Sequence, residues 1–433
     1  MPPVRQSEHR PDGPVRRPPV QAAKPTALKL ANNPRLLLRL ARPVRRFLPI
    51  LVVGRRVIVT RHADVCEILE RDDVFTVADA NGPTMDRVNG PFILGMDRSE
   101  QYLRERAILQ RCVHPDDPAR IRAFVRAAAT DAVAAMGPSG RLDVVADLAR
   151  VVAVRLVAHY FGVSGPDEDT MKRWMRTIFH ETFLNVGADP AVRRRGEASA
   201  AELHVFVDDL VAARRGEVSR GAAVPDDFVT RLVKLQAEPG TQLSDEGIRR
   251  NLGGVIVGAV DTTSKAVTHA VDELLRRPEA LAGAAAAAQA GDIDAVGRHA
   301  FEALRFNPLN PVLARDVART ALVAAGTKRQ RCLPAGRHVY AAVLPAMFDP
   351  AVFDQPNRFR TDRPPGAYLH FGGGLHDCFG RQVNLIQIPE VVAALVALPG
   401  LRRHPGAEGA MVYDGPFPDH LVVEFGPPAG ASS

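Results

Sequence analysis

The segment Phe371-Gly372-Gly373-Gly374-Leu375-His376-Asp377-Cys378-Phe379-Gly380 restricts this chain more than any other stretch. Three consecutive glycines permit a tight turn that can lie flat against a planar partner. Cys378 follows the turn and opens an apolar stretch to about Leu398, which reads as the final helix even with Pro389 inside it. A helix N-terminus offers free N–H donors and the positive end of the macrodipole, and both stabilise a thiolate. A thiolate held in this way can bind iron. Gly380 removes a side chain where the helix would press on a flat cofactor, Phe371 can shield the sulfur and tune its electron donation, and His376 can meet an anionic cofactor edge. The residues alone leave two other readings open. One is a glycine-rich loop around a buried free cysteine. The other is a nucleophile–base pair of Cys378 and His376, although a two-residue spacing rarely returns a histidine to its own cysteine.

The chain has 433 residues, of which 46% are apolar, so a large buried core is available. Its formal charge of +7 is small and scattered, with no stretch of basic residues interleaved with aromatics. Nucleic acid is therefore not an expected partner, whereas an acidic protein docking on a mildly basic face is. Cys66, Cys112, Cys332 and Cys378 form no CxxC pair and no zinc-type spacing, which reads as free thiols in a reducing cytoplasm. The apolar run 47–53 is too short to cross a bilayer, so a soluble, cytoplasmic protein with no membrane span is expected.

Residues 1–28, rich in Pro and Arg, read as a disordered tail, and 29–427 as a single domain. Runs at 50–53 and 56–60 flank Gly54 as a hairpin. Helices are expected near 62–71, 100–113 (capped by Asp97 or Ser99), 118–136, 142–162, 167–186, 196–215, 244–277, 284–290 and 294–305. Strands follow at 317–324 and 337–343, then a Pro-rich coil to Tyr368. The long helix 244–277 carries Gly258-Ala259-Val260-Asp261-Thr262-Thr263 in its middle. Asp and Thr favour caps and turns over helix interiors, so this pair points either to function or to side chains satisfied by the preceding turn.

Residues 371–380 match FGxGx(R/H)xCxG at every fixed position, and that pattern is the signature of the cytochrome P-450 family. The chain resembles the bacterial, soluble class of that family from about residue 31 to 425. The resemblance implies a mainly α fold, a triangular helical prism with a small β-rich region. It also implies haem b, with Cys378 as the axial iron ligand and the loop around Phe371, Gly372 and Gly380 against the ring. His376 and Arg315 would bind propionates. Tyr102 and Arg106 stand where many bacterial members carry His and Arg, although aligning Tyr102 requires an insertion after Asp97. Glu302-Ala303-Leu304-Arg305 resembles the family's ExxR pair, and Pro356-Asn357-Arg358-Phe359 its PxRF segment. Arg358 would then complete a structural triad with Glu302 and Arg305 that locks the cysteine loop. Gly258–Thr263 resembles (A/G)Gx(D/E)TT, with Ala259 replacing the second glycine, so Thr262 would break the regular backbone bonding of the helix and hydrogen-bond dioxygen, and Asp261 would relay protons through water.

The implied activity is NAD(P)H-driven monooxygenation of an organic, lipophilic substrate by O2. With no flavin or iron–sulfur motif in the chain, electrons are expected from a ferredoxin or flavodoxin with its reductase, docking near Cys378, with Arg381 and Arg111 as candidate contacts. The alternatives are a haem-thiolate peroxygenase or hydroperoxide isomerase, or a non-catalytic relative without haem. Retention of Asp261-Thr262 argues against the first, and the complete cysteine loop against the second. Ala346-Met347-Phe348-Asp349, which lacks the usual Arg, and Pro389 mark a divergent subfamily. The substrate pocket is expected along the loop 76–95 and helices at about 170–200, near Phe75, Phe92, Phe179, Phe183 and Leu184.

Overall fold

The computed structural model describes residues 33–185 and 187–426, and the expected tail 1–28 lies outside the described residues. Helices dominate, and several begin where a side chain satisfies an orphan N–H of the first turn. Ser99 caps Glu100–Arg111, Asp167 caps Glu168–Phe179, Asp227 caps Phe228–Gln236, Ser244 caps Asp245–Ala259 and Asp292 caps Ile293–Phe306. One core joins these helices, with Trp174, Phe228, Ile256, Val271, Leu304 and Val391 all buried.

A second core lies under a five-stranded sheet. Its order is Ile50–Val53, Arg56–Val59, His338–Ala341, Leu313–Val317, Phe75–Thr76. Only the pairing of Arg56–Val59 with His338–Ala341 is parallel; Leu313–Val317 runs antiparallel to its neighbour, placing Arg315 opposite Val339.

Several elements differ from the sequence expectation. The 76–95 stretch contains a helix, Ala78–Val88, because burial of Gly82, Met85 and Val88 outweighs the turn signals of Asn81-Gly82-Pro83. Helices at Pro34–Phe47 and Phe228–Gln236 were not expected. The expected strand at 317–324 is split between Leu313–Val317 and Ala321–Val323. The long helix is two helices, Asp245–Ala259 and Asp261–Leu275, broken at Val260.

Candidate active site

The cysteine loop is pinned at both ends. The Cys378 N–H donates to the Phe371 carbonyl at 3.0 Å, closing the turn, and Gly372 and Gly374 take φ of +74° and +66°. A Cβ on Gly374 would lie 2.1 Å from the Leu69 carbonyl oxygen, so this glycine is required for the loop to dock on the helix His62–Glu70. The final helix starts at Arg381, later than expected, with Gly380 as its N-cap. Cys378 therefore stands ahead of the helix proper, and the macrodipole acts on it weakly. Burial pushes the Cys378 thiol up, opposed by a backbone hydrogen bond at Gly380. Phe371 stacks beneath the Arg381 guanidinium at 5.0 Å, and Arg381 is also paired with Asp377.

Cations gather around this loop. Arg315 is 7% exposed, has no carboxylate partner among the described residues, and donates only to the adjacent Ala314 carbonyl. Burial drives its guanidinium down to about 10. His376 is pushed down to about 4, first by burial and then by the charge of Arg315, and its Nδ1 is buried without a hydrogen-bond partner. Arg106 reaches the Tyr102 hydroxyl at 3.2 Å, and that hydroxyl donates to the Leu375 carbonyl at 2.5 Å. Tyr102 is fully buried, its ring edge-to-face with His376 at 5.8 Å between centroids. The carboxylate acting on His376, Asp72, is already bound by Arg98. Arg106 and Arg315, with the neutral His376 beside them and Asp97 acting on Arg315, thus bring two guanidinium charges to one region.

Opposite the loop runs the broken helix. Within the otherwise buried stretch 250–274, Gly254, Val255, Gly258, Ala259 and Thr262 are only partly covered, and a Cβ on Gly258 would meet nothing within 4 Å. The Thr262 hydroxyl donates to the Gly258 carbonyl, diverting that acceptor from the backbone ladder beside the break at Val260. Asp261 is buried. Its Oδ1 accepts from Arg176 Nε at 2.9 Å and faces Arg150 Nε at 3.5 Å, while Oδ2 is buried with no partner. Thr263 donates to Asn384 Oδ1 at 2.8 Å, and Asn384 Nδ2 donates to the Gly380 carbonyl at 3.2 Å. That relay couples the broken helix to the cysteine loop, and the sequence reading missed it.

Glu302 and Arg305 meet at 2.8 Å with both side chains fully buried. Arg358 is not the third member. Its side chain is exposed, and only its carbonyl joins the cluster, accepting from Arg305 at 3.2 Å and Arg363 at 3.0 Å. The guanidinium that reaches Glu302 belongs to Arg363, at 3.2 Å, joined by the Tyr368 hydroxyl at 2.9 Å and the Arg360 N–H at 3.0 Å. The coil turns so that the later arginine points inward, and nothing in the local pattern separates Arg358 from Arg363. Of the expected pocket residues, Phe75 and Phe92 are buried in the cores. Phe179 and Phe183 pack at 4.6 Å, and Phe179 meets Phe417 at 5.2 Å.

Such a fold, with a glycine-cradled cysteine facing a broken helix, defines a haem-thiolate type of architecture, and the comparisons agree. The sequence pattern of the family described as Cytochrome P450 matches residues 52–285. The Mycinamicin IV hydroxylase/epoxidase of Micromonospora griseorubida is 29% identical over 80% of this chain and 82% of its own. The Steroid C26-monooxygenase of Mycolicibacterium smegmatis is 25% identical over 73% of this chain and 74% of its own. The crystal structure of CalO2 superposes with a TM-score of 0.79 at 25% identity, covering 94% of this chain and 100% of that one. The chain belongs to the cytochrome P450 family, and its fold is the mainly α fold of that family. Haem is the group the family implies. The residues fit it: the partly exposed Cys378 thiol to ligate iron, a glycine-lined open side at Gly258, and the buried Arg315, which forms no salt bridge among the described residues, with His376 to meet propionates.

Proposed function

We propose that this cytochrome P450 monooxygenase holds haem b through Cys378 and inserts one oxygen atom from O2 into an organic, lipophilic substrate, using electrons from a separate ferredoxin or flavodoxin with its reductase. The carrying observation is the convergence of Arg106, Arg315 and His376 on the loop that presents Cys378. Haem, when bound, supplies the redox chemistry of O2 activation. Arg315 and Arg106 would offset the charge of its propionates and His376 would offer them a hydrogen bond, with Tyr102 orienting Arg106. Metal coordination overrides the raised thiol pKa of Cys378, since a coordinating thiol is deprotonated outright.

The Thr262 proton is committed to Gly258, so its oxygen offers lone pairs toward the open side, where a water can donate to it. Asp261, anchored through one oxygen by Arg176, keeps the other free to accept a proton from such a water. Glu302, Arg305 and Arg363 hold the coil behind the loop. The reading places the protein in the cytoplasm, and among the described residues no helix is long and apolar enough to cross a membrane. The relatives named for a steroid and for mycinamicin support a bulky lipophilic substrate.

The test is spectral. Cys378→Ser is expected to abolish the red-shifted Soret band of the reduced carbon monoxide complex while far-UV circular dichroism is retained. An unchanged band in that variant removes Cys378 as the ligand.

A further inference from the structure

The helix Pro34–Phe47 rests on the molecule through one face only. Pro34, Leu37, Leu38, Ala41, Val44 and Arg45 are half-buried, and Arg45 donates to the Pro345 carbonyl at 2.7 Å. The remaining positions are exposed and fall into two rows at helical spacing. Leu36, Leu40, Pro43 and Phe47 form one row. Arg35, Arg39, Arg42 and Arg46 form the other, about 100° away around the axis. Leu40 is 54% and Phe47 70% exposed, and the chain continues with the exposed Leu48, Val52 and Val53.

Neither row is matched from within the protein. The helix contains no Asp or Glu. Arg35 reaches Glu273 only at 3.9 Å, and Arg39, Arg42 and Arg46 form no salt bridge among the described residues. A single exposed leucine needs no explanation, whereas a continuous apolar row beside a basic one marks an interaction surface. The charges decide which partner fits. A second copy of the chain would set one basic row against another. Residues 1–32 hold six Arg and Lys against Glu8 and Asp12, so their charge does not complement the row either. An acidic protein would satisfy the arginines and leave the apolar row in water. A bilayer with anionic headgroups satisfies both rows together, phosphates meeting the guanidiniums and acyl chains meeting Leu40 and Phe47.

We propose that Pro34–Phe47 is a docking helix that lies in the plane of an anionic membrane surface and holds the protein there reversibly. The helix is far too short to cross a bilayer, and its exposed half carries the composition of a segment that lies on one. The proposal stands apart from the haem-thiolate reading; only its consequence, that lipophilic substrates dissolved in the bilayer come close to the enzyme, rests on the proposed function.

The test is co-sedimentation of the purified full-length protein with phosphatidylcholine vesicles, with and without phosphatidylglycerol. Binding to the anionic vesicles is expected to be tighter by about tenfold or more and to weaken as salt rises. Arg39→Glu, Arg42→Glu and Arg46→Glu together should remove that preference. Leu40→Ser with Phe47→Ser, which leaves the charge unchanged, should weaken binding at least about threefold. The proposal is overturned if both vesicle types bind equally or not at all, or if binding survives the three glutamates. It is also overturned if the two serines leave binding unchanged, because the contact is then charge alone, the kind an acidic protein would make. A dimer that these serines disrupt, without vesicle binding, gives the face to a second copy and overturns it as well. Should the glutamate variant not fold, Arg39→Gln with Arg42→Gln decides by the same measure. The carbon monoxide spectrum of the same samples keeps the two readings apart, since vesicle binding without the red-shifted band would remove the haem-thiolate reading alone.

Discussion

Glu302 is fully buried, with its carboxylate surrounded by Arg305, Arg363, Tyr368 and the Arg360 amide. Removing one partner from a buried charge cluster is far costlier than removing an exposed arginine. Arg363→Ala is therefore expected to destabilise the fold by about 3 kcal/mol. Arg358→Ala, which deletes an exposed side chain and leaves its bonding carbonyl in place, should stay within about 0.5 kcal/mol of wild type. Chemical denaturation of both variants decides the comparison. Equal losses would return Arg358 to the cluster.

At the scale of elements, the interruption at Val260 is the feature on which chemistry depends. It separates two helices that each make their own backbone bonds, and the Thr262 hydroxyl occupies the Gly258 carbonyl beside it. Thr262→Ala frees that carbonyl to re-form a regular ladder and removes the oxygen facing the open side. NADH oxidation is then expected to continue while product per NADH falls several-fold and hydrogen peroxide appears in its place. Unchanged coupling would exclude Thr262 from oxygen handling. The sequence revealed this element as odd because Asp and Thr sit badly inside an apolar helix, and it pointed to broken backbone bonding at Thr262, although not to two separate helices meeting at Val260. The cysteine loop was legible for a similar reason: its glycines act locally, as the Gly374 approach to Leu69 makes plain. What stayed hidden depends on distant packing. Asn81-Gly82-Pro83 spells a turn, yet a helix forms there once Met85 and Val88 find the core. Arg363 and the Thr263–Asn384 relay join segments far apart in the chain, and no local period announces them.

Across the whole molecule, histidines with lowered pKa values shape the response to acid, His370 and His269 with the already described His376. His370 is held near 4 and His269 near 3, in both cases chiefly by burial, against about 6.5 for an exposed imidazole. A folded-state pKa below the unfolded value means that the unfolded chain binds more protons beneath about pH 6.5. The stability conferred by neutral histidines is therefore complete above that pH and drains away as pH falls toward 4. The melting temperature is expected to decline across this window, with proton uptake on unfolding. A flat profile would contradict the lowered pKa values of these rings.

The candidate site also spans the two hydrophobic cores. Arg315 comes from the sheet, Tyr102 and Val260 from the helical core, and the cysteine loop leans on Leu69 of the sheet core through Gly374. A cofactor bound there ties the cores together and stabilises the native state by mass action, so haem removal should lower the melting temperature. Arg315 gives that expectation a sign that can be checked. Its depressed pKa corresponds to a burial cost on the order of 3 kcal/mol in the haem-free fold, a cost that a propionate would offset. Arg315→Met is therefore expected to melt at or above the wild type when both lack haem, yet to bind haem more weakly and gain less from it. If the haem-free variant instead melts well below wild type, Arg315 is a structural residue of the sheet, with its role at a cofactor edge withdrawn.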